Sequence, residues 1–268
     1  MNFTLQILGT ASAVPISDRN PSAQVLTVQG RLFLIDCGEG CQQQFRRMHL
    51  SFLKIEAIFL SHIHGDHLFG IFGLLSTMGM YGRTAELKFY APNSFGPVLK
   101  FFMSYFGDGI NFPIEHVALK MNEPEVIHTS KNVQVSAFPL KHKIDCYGFR
   151  FDELLTARQA EKHPARSYAY CSDTMPFPEL AKWVSGVDWL YHEATYPKDM
   201  ADKAADRFHS TTHQAAQCAL DAGVRKLIVG HYSSRVRDFE VFLKECQEVF
   251  PETIAAQDGD VFEIPYAE

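Results

Sequence analysis

Ser61-His62-Ile63-His64-Gly65-Asp66-His67 is the most informative stretch of this 268-residue chain. It follows Ala57-Ile58-Phe59-Leu60, an apolar run whose length and composition predict a buried strand. In extended chain His62 and His64 sit two positions apart, so their imidazoles point the same way. Gly65 predicts a tight backbone turn, and Asp66 and His67 are expected to open the next helix from its far side. Four ligand side chains on six residues crowd a single tetrahedral ion and suit two ions sharing a site. Imidazole and carboxylate without thiolate suit zinc, with manganese and iron as alternatives. A lone histidine is ordinarily a surface or hydrogen-bonded core residue, and His49, His116, His128, His163 and His213 carry that reading. Three histidines and an aspartate at this spacing, after a buried strand, point to metal.

Three later residues follow the same plan, each just past an apolar strand. His142 follows Val133 to Leu140, Asp173 follows Tyr168 to Cys171, and His231 follows Leu227 to Gly230. Further strands are expected at Thr4 to Leu8, Leu87 to Ala91 and Trp189 to Tyr191, with Gln24 to Val28 and Leu32 to Ile35 joined as a hairpin around Gln29-Gly30. Helices are expected at Gln42 to Met48, Leu68 to Met80, Pro97 to Phe106, Thr211 to Ala222 and Asp238 to Val249, the fourth opened by Ser210 as N-cap and closed by Gly223. The helical spacing of Phe95, Phe101, Phe102, Tyr105 and Phe106 predicts core packing or a dimer contact rather than base stacking. Strands come first in hairpins and later with interleaved helices, an α/β pattern of sheets covered by helices on their outer faces. No linker, low-complexity tract or short repeat divides the chain, so residues 1–268 read as a single domain.

A net charge of −6 argues against a surface that is basic all over; a nucleic-acid substrate requires local basic patches or metal cations. The six cysteines show no Cys-x-x-Cys spacing and read as reduced, buried thiols. The first residues lack a charged start and a true apolar run, so no signal peptide is expected, and no stretch approaches the length of a membrane span. A cytoplasmic protein is the expectation.

The motifs, taken together, resemble the ribonuclease Z family, the tRNA 3′-processing endonucleases of the metallo-β-lactamase superfamily. The likeness runs over nearly the whole chain: Leu8-Gly9-Thr10 with Pro15 and Arg19-Asn20, Asp36-Cys37-Gly38-Glu39-Gly40, the histidine cluster, and His142 with Tyr147-Gly148-Phe149. It continues through Ser172-Asp173-Thr174, His192-Glu193-Ala194-Thr195, His209-Ser210-Thr211 and His231 with Ser233-Ser234-Arg235. The resemblance implies the metallo-β-lactamase fold, a four-layer αβ/βα sandwich of two mixed sheets with outer helices. It implies two zinc ions, one held by His62, His64 and His142, the other by Asp66, His67 and His231, with Asp173 bridging. Asp66 would act as general base, and Glu193 with His209 as proton donor to the leaving ribose oxygen. Ser233 and Arg235 would contact phosphate, and Asp36 would hold metal ligands from behind.

The implied substrate is precursor tRNA, and the implied assembly a homodimer. One departure stands out. The family's long arm lies between the segments matching Tyr147-Gly148-Phe149 and Ser172-Asp173-Thr174, where this chain has only Arg150 to Cys171. Arg158, Lys162 and Arg166 are the cations left there to meet RNA. A phosphodiesterase acting on small or cyclic nucleotides is therefore the alternative function.

Overall fold

A computed structural model describes residues 2–236 and 238–267. The chain forms two compact units, Met1–Lys120 with Asp258–Phe262, and Met121–Gln257 with Glu263–Glu268.

The first unit begins with β1 (Phe3–Gly9), β2 (Ala23–Val28) and β3 (Arg31–Ile35), an antiparallel meander. Val28 pairs with Arg31 across a two-residue turn in which Gln29 and Gly30 both have positive φ, 48° and 85°. Those signs match the twist of the flanking strands, and glycine adopts them without penalty. The connections then become crossovers, and β4 (Ile55–Phe59), β5 (Leu87–Pro92) and β6 (Ile114–Leu119) run parallel to β3. The crossovers contain α1 (Cys41–Arg47), α2 (Gly65–Leu68), α3 (Gly70–Met80) and α4 (Phe95–Phe106). Phe45, Leu74, Leu75, Met78, Phe95 and Phe102 from these helices join Leu34, Ile58 and Phe89 of the strands in one core.

The expected burial of the α4 aromatics holds for only two of them. Phe95 and Phe102, seven residues apart, lie on the inward stripe and are buried. Phe101, Tyr105 and Phe106 are 59%, 73% and 60% exposed. That excludes core packing for those three and leaves the contact reading.

The second unit mirrors this order of connections. Strands β7 (Glu125–Thr129), β8 (Val133–Leu140), β9 (Cys146–Glu153) and β10 (Ser167–Cys171) are antiparallel neighbours. Parallel to β10 then run β11 (Trp189–Glu193), β12 (Lys226–Gly230) and β13 (Thr253–Ala255). The chain closes with β14 (Val261–Glu263), which pairs at the β1 edge of the first sheet. Helices α5 (Ala157–Ala160), α6 (Pro178–Trp183), α7 (Ala201–Arg207), α8 (Thr212–Ala222) and α9 (Glu240–Val249) belong to the second unit. Leu180, Ala215, Ala219 and Phe242 from the helices pack on Leu190, Leu227 and Val229.

Helix α8 starts one residue later than the cap reading placed it. The N-cap is Thr211, which forms a reciprocal capping box with Gln214, and Gly223 closes the helix with φ 62°. Ser210 instead donates its hydroxyl to the Thr174 carbonyl.

The segment replacing the family arm is shorter still than its motif spacing implied. Asp152 pairs with Ser167, so only residues 154–166 leave the sheet, carrying the single turn α5. Arg166 is not a surface cation. It is buried, paired through Nε and Nη2 with both Glu153 carboxylate oxygens at 2.9 and 2.7 Å, and stacked 4.0 Å from the Tyr266 ring centroid. Arg158 remains exposed.

All six cysteines are free thiols, five of them buried, and burial pushes the Cys37 and Cys171 thiols up. Among the described residues no helix is long and apolar enough to cross a membrane.

Candidate metal centre

Both units gather their candidate ligands where strands end, most of them at the C-terminal ends of parallel strands and His142 after the antiparallel β8. In the first unit the organiser is Asp36, fully buried just past β3 with φ 53°. Its Oδ1 accepts from the Ser61 amide at 2.7 Å, and its Oδ2 from the Ser61 hydroxyl and His67 Nδ1, each at 2.8 Å. Ser61 Oγ also meets His62 Nδ1 at 2.9 Å. Holding Nδ1 of His62 and His67 this way leaves Nε2 of each ring as the ligand atom, the usual arrangement behind metal-binding histidines.

His62 Nε2 and His64 Nδ1 face each other 3.0 Å apart. Two nitrogens on one tetrahedral zinc lie about 3.3 Å apart, given Zn–N bonds of about 2.0–2.1 Å, so this donor pair fits such an ion. Asp66 lies beside them, its Oδ2 3.6 Å from His67 Nε2 and accepting from the Ala13 amide at 2.6 Å. The backbone turns at Gly65, from extended His64 into helix, without needing a left-handed residue. Gly65 opens α2, its φ is not positive, and the place of its missing Cβ is taken by the Phe69 ring, 2.3 Å away. Gly38 is the glycine that this corner requires, since a Cβ there would lie 2.4 Å from the Asp66 carbonyl.

In the second unit His142, Asp173, Glu193 and His231 stand at or just beyond β8, β10, β11 and β12, and His209 follows α7. The two Asp173 oxygens face different histidines, Oδ1 lying 3.2 Å from His231 Nε2 and Oδ2 3.8 Å from His142 Nε2. His142 Nδ1 is 3.0 Å from the Phe208 carbonyl, and His231 Nδ1 is 2.8 Å from Thr195 Oγ1. As in His62 and His67, Nδ1 is used by the protein, and here both Nε2 atoms point to Asp173. Phe208 and His231 both sit in the left-handed region, φ 61° and 62°, conformations that cost non-glycine residues energy and persist where surrounding structure imposes them.

Glu193 is fully buried. Its Oε1 accepts from His209 Nδ1 at 3.0 Å and from the Thr174 and Ser210 amides at 3.1 and 2.9 Å. Its Oε2 accepts from the Thr195 amide and hydroxyl at 2.9 and 2.7 Å. Burial pushes this carboxyl up, but the His209 imidazole beside it, supported by His231, outweighs that and holds it below the usual carboxylate range. His209 Nδ1 is also 4.0 Å from Asp173, and Asp173, His209 and His231 each offer an atom within 4.8 Å of the others.

Ser233 is buried and its hydroxyl accepts the Arg235 amide at 3.4 Å, while Arg235 is exposed. Ser61 and Thr195 are the functional residues that the motifs contained without revealing. Ser61 adjoins His62 and Thr195 lies two residues after Glu193, but only the folded backbone aims each hydroxyl at a ring nitrogen.

The family described as "Beta-lactamase superfamily domain" matches residues 31–232. Ribonuclease Z of Bacteroides fragilis is 36% identical over 296 aligned positions, covering 96% of this chain and 97% of that protein. Because that alignment is longer than the chain itself, at least 28 positions face gaps here. The crystal structure of human tRNase Z, short form, superposes with a TM-score of 0.82 at 27% identity, covering 98% of this chain and 99% of that one. A metallo-β-lactamase fold protein, YhfI from Bacillus subtilis, shares the fold at TM-score 0.81 and 19% identity, covering 98% of this chain and all of the other. The chain belongs to the ribonuclease Z family, the tRNA 3′-processing endoribonucleases of the metallo-β-lactamase superfamily.

Proposed function

We propose that this chain removes 3′ trailers from precursor tRNA by zinc-dependent phosphodiester hydrolysis, with residues 1–268 acting as one catalytic domain in the cytoplasm. The observation that carries this reading is the Glu193–His209 pair beside Asp173. A metallohydrolase acting on esters with good leaving groups has no need of a buried carboxylate–imidazole pair, whereas a departing ribose 3′ oxygen requires a proton. His62, His64 and His142 would hold one zinc, Asp66, His67 and His231 the other, and Asp173 both. When bound, a pair of zinc ions lowers the pKa of water and offsets charge on a phosphodiester.

The chain's own groups do the rest. Asp66 accepts the proton of the attacking water, with one carboxylate oxygen steadied by the Ala13 amide. His209, oriented by Glu193, donates to O3′ as the P–O3′ bond breaks, so the products are a tRNA 3′-hydroxyl and a trailer 5′-phosphate. Arg235, exposed, and the Ser233 hydroxyl are proposed to meet the phosphate. Cleavage of a 3′-extended precursor tRNA with both product ends mapped tests this. Turnover of cyclic or small phosphodiesters with no RNA cleavage would instead favour the alternative that the short 154–166 connection raises.

The proposed homodimer is supported by the exposed Phe101, Tyr105 and Phe106 of α4. Phe101→Glu with Tyr105→Glu is expected to turn a dimer into a monomer in analytical ultracentrifugation at micromolar concentration. A dimer unchanged by this pair places the interface elsewhere, and a monomeric parent protein ends the proposal.

A further inference from the structure

The family arm is missing, the net charge is −6, and one of the three cations left in the connecting segment is buried. The cations bordering His209 are placed differently. In α7, Lys203 and Arg207 are four residues apart and share a face, while Asp202 and Asp206 share a second face about 100° round the helix. The two stripes adjoin, Lys203 and Asp206 being three residues apart, yet no ion pair joins these two among the described residues. The Lys203 ammonium lies 5.2 Å from the Tyr196 ring centroid, and that ring lies 6.1 Å from His209. Arg207 acts on the same phenol, opposing the rise that burial imposes. Lys143 lies 5.9 Å from the ring of Phe208, the residue before His209, and that ring is 36% exposed.

Among the described residues none of Lys143, Lys203 and Arg207 is in an ion pair, although Lys198, Lys226, Lys244 and Arg225 of the same unit are. Unneutralised cations beside a proton donor suit an anionic chain that continues past the leaving oxygen. We propose that Lys203 and Arg207, together with Lys143, hold the RNA phosphates immediately 5′ of the cleaved bond, in place of grip that the arm would supply. This rests on the reading of the chain as a precursor-tRNA nuclease with His209 protonating O3′, because that assignment puts the mature side of the RNA beyond His209.

The test measures kcat and KM of the zinc-loaded enzyme on a 3′-extended RNA across 50–200 mM salt, for the parent chain and for Lys203→Met with Arg207→Met. Methionine keeps the length and helix propensity of both side chains. Loss of two phosphate contacts should flatten the dependence of log(kcat/KM) on log salt by about 1.4, so that between 50 and 200 mM the parent loses about sevenfold more than the variant. The change should lie in KM. RNAs with uncharged methylphosphonates at the two linkages 5′ of the cleavage site should weaken the parent but not the variant further. The same replacement on the trailer side should weaken both equally.

An unchanged salt slope, or coupling to the trailer side instead, overturns the assignment while leaving the nuclease reading intact. A parent enzyme that cleaves no 3′-extended RNA overturns both.

Discussion

Asp173→Ala is expected to lose more than one of two zinc equivalents in elemental analysis of the purified protein. Each of its carboxylate oxygens faces a different histidine, His231 at 3.2 Å and His142 at 3.8 Å. A ligand shared in this way cannot be removed from one coordination sphere alone. Each ion would also lose a negative charge that offsets part of its own. Cleavage of precursor tRNA should therefore fall further than with any loss confined to proton transfer. Asp173→Asn retains the shape and one oxygen acceptor but no charge, and should hold an intermediate amount of zinc. Zinc content equal to the parent's in the alanine variant would remove Asp173 from the centre.

His209→Ala is expected to keep its zinc and slow precursor tRNA cleavage by about 10²–10⁴-fold, the usual contribution of a positioned acid or base. The effect should shrink on bis(p-nitrophenyl) phosphate, whose p-nitrophenolate departs without a proton. This comparison matters because His209 has a second conceivable part. Its Nδ1 lies 4.0 Å from Asp173, and with His231 the three could hold an ion themselves. A ligand role predicts loss of zinc and equal losses on both substrates. The geometry favours the donor, since the shorter contact of that same nitrogen, 3.0 Å, is to Glu193. The Glu193 carboxylate is held charged by five protein donors, the first being His209 itself.

The most local features of this chain were legible in its sequence. Alternation fixes that His62 and His64 leave the strand on one side. The positive φ values at Gln29 and Gly30 follow from a two-residue hairpin turn. The ends of the apolar runs locate Asp36, His142, Asp173 and His231 beyond strands without any knowledge of neighbours. Strand β9 was missed although Phe149 and Phe151 alternate with Arg150 and Asp152 in the period of a half-buried strand, so the miss was one of reading and not of signal.

Tertiary structure decided what depends on residues distant in sequence. Glu193 and His209 are brought together because the segments carrying them are bridged at Tyr196 and Thr211, and no local period encodes a contact across sixteen residues. The same contact network takes Ser210 from its expected cap and gives that place to Thr211. Arg166 has the composition of a surface cation, yet burial against Glu153 and Tyr266 makes it a structural one. On α4 the sequence named the aromatic residues, but packing chose which of them face inward. A helix turns 100° per residue and its neighbours cover only one stripe. Sequence period and spacing can specify the direction of a side chain relative to its own backbone; what that side chain meets there is determined only when the chain has folded.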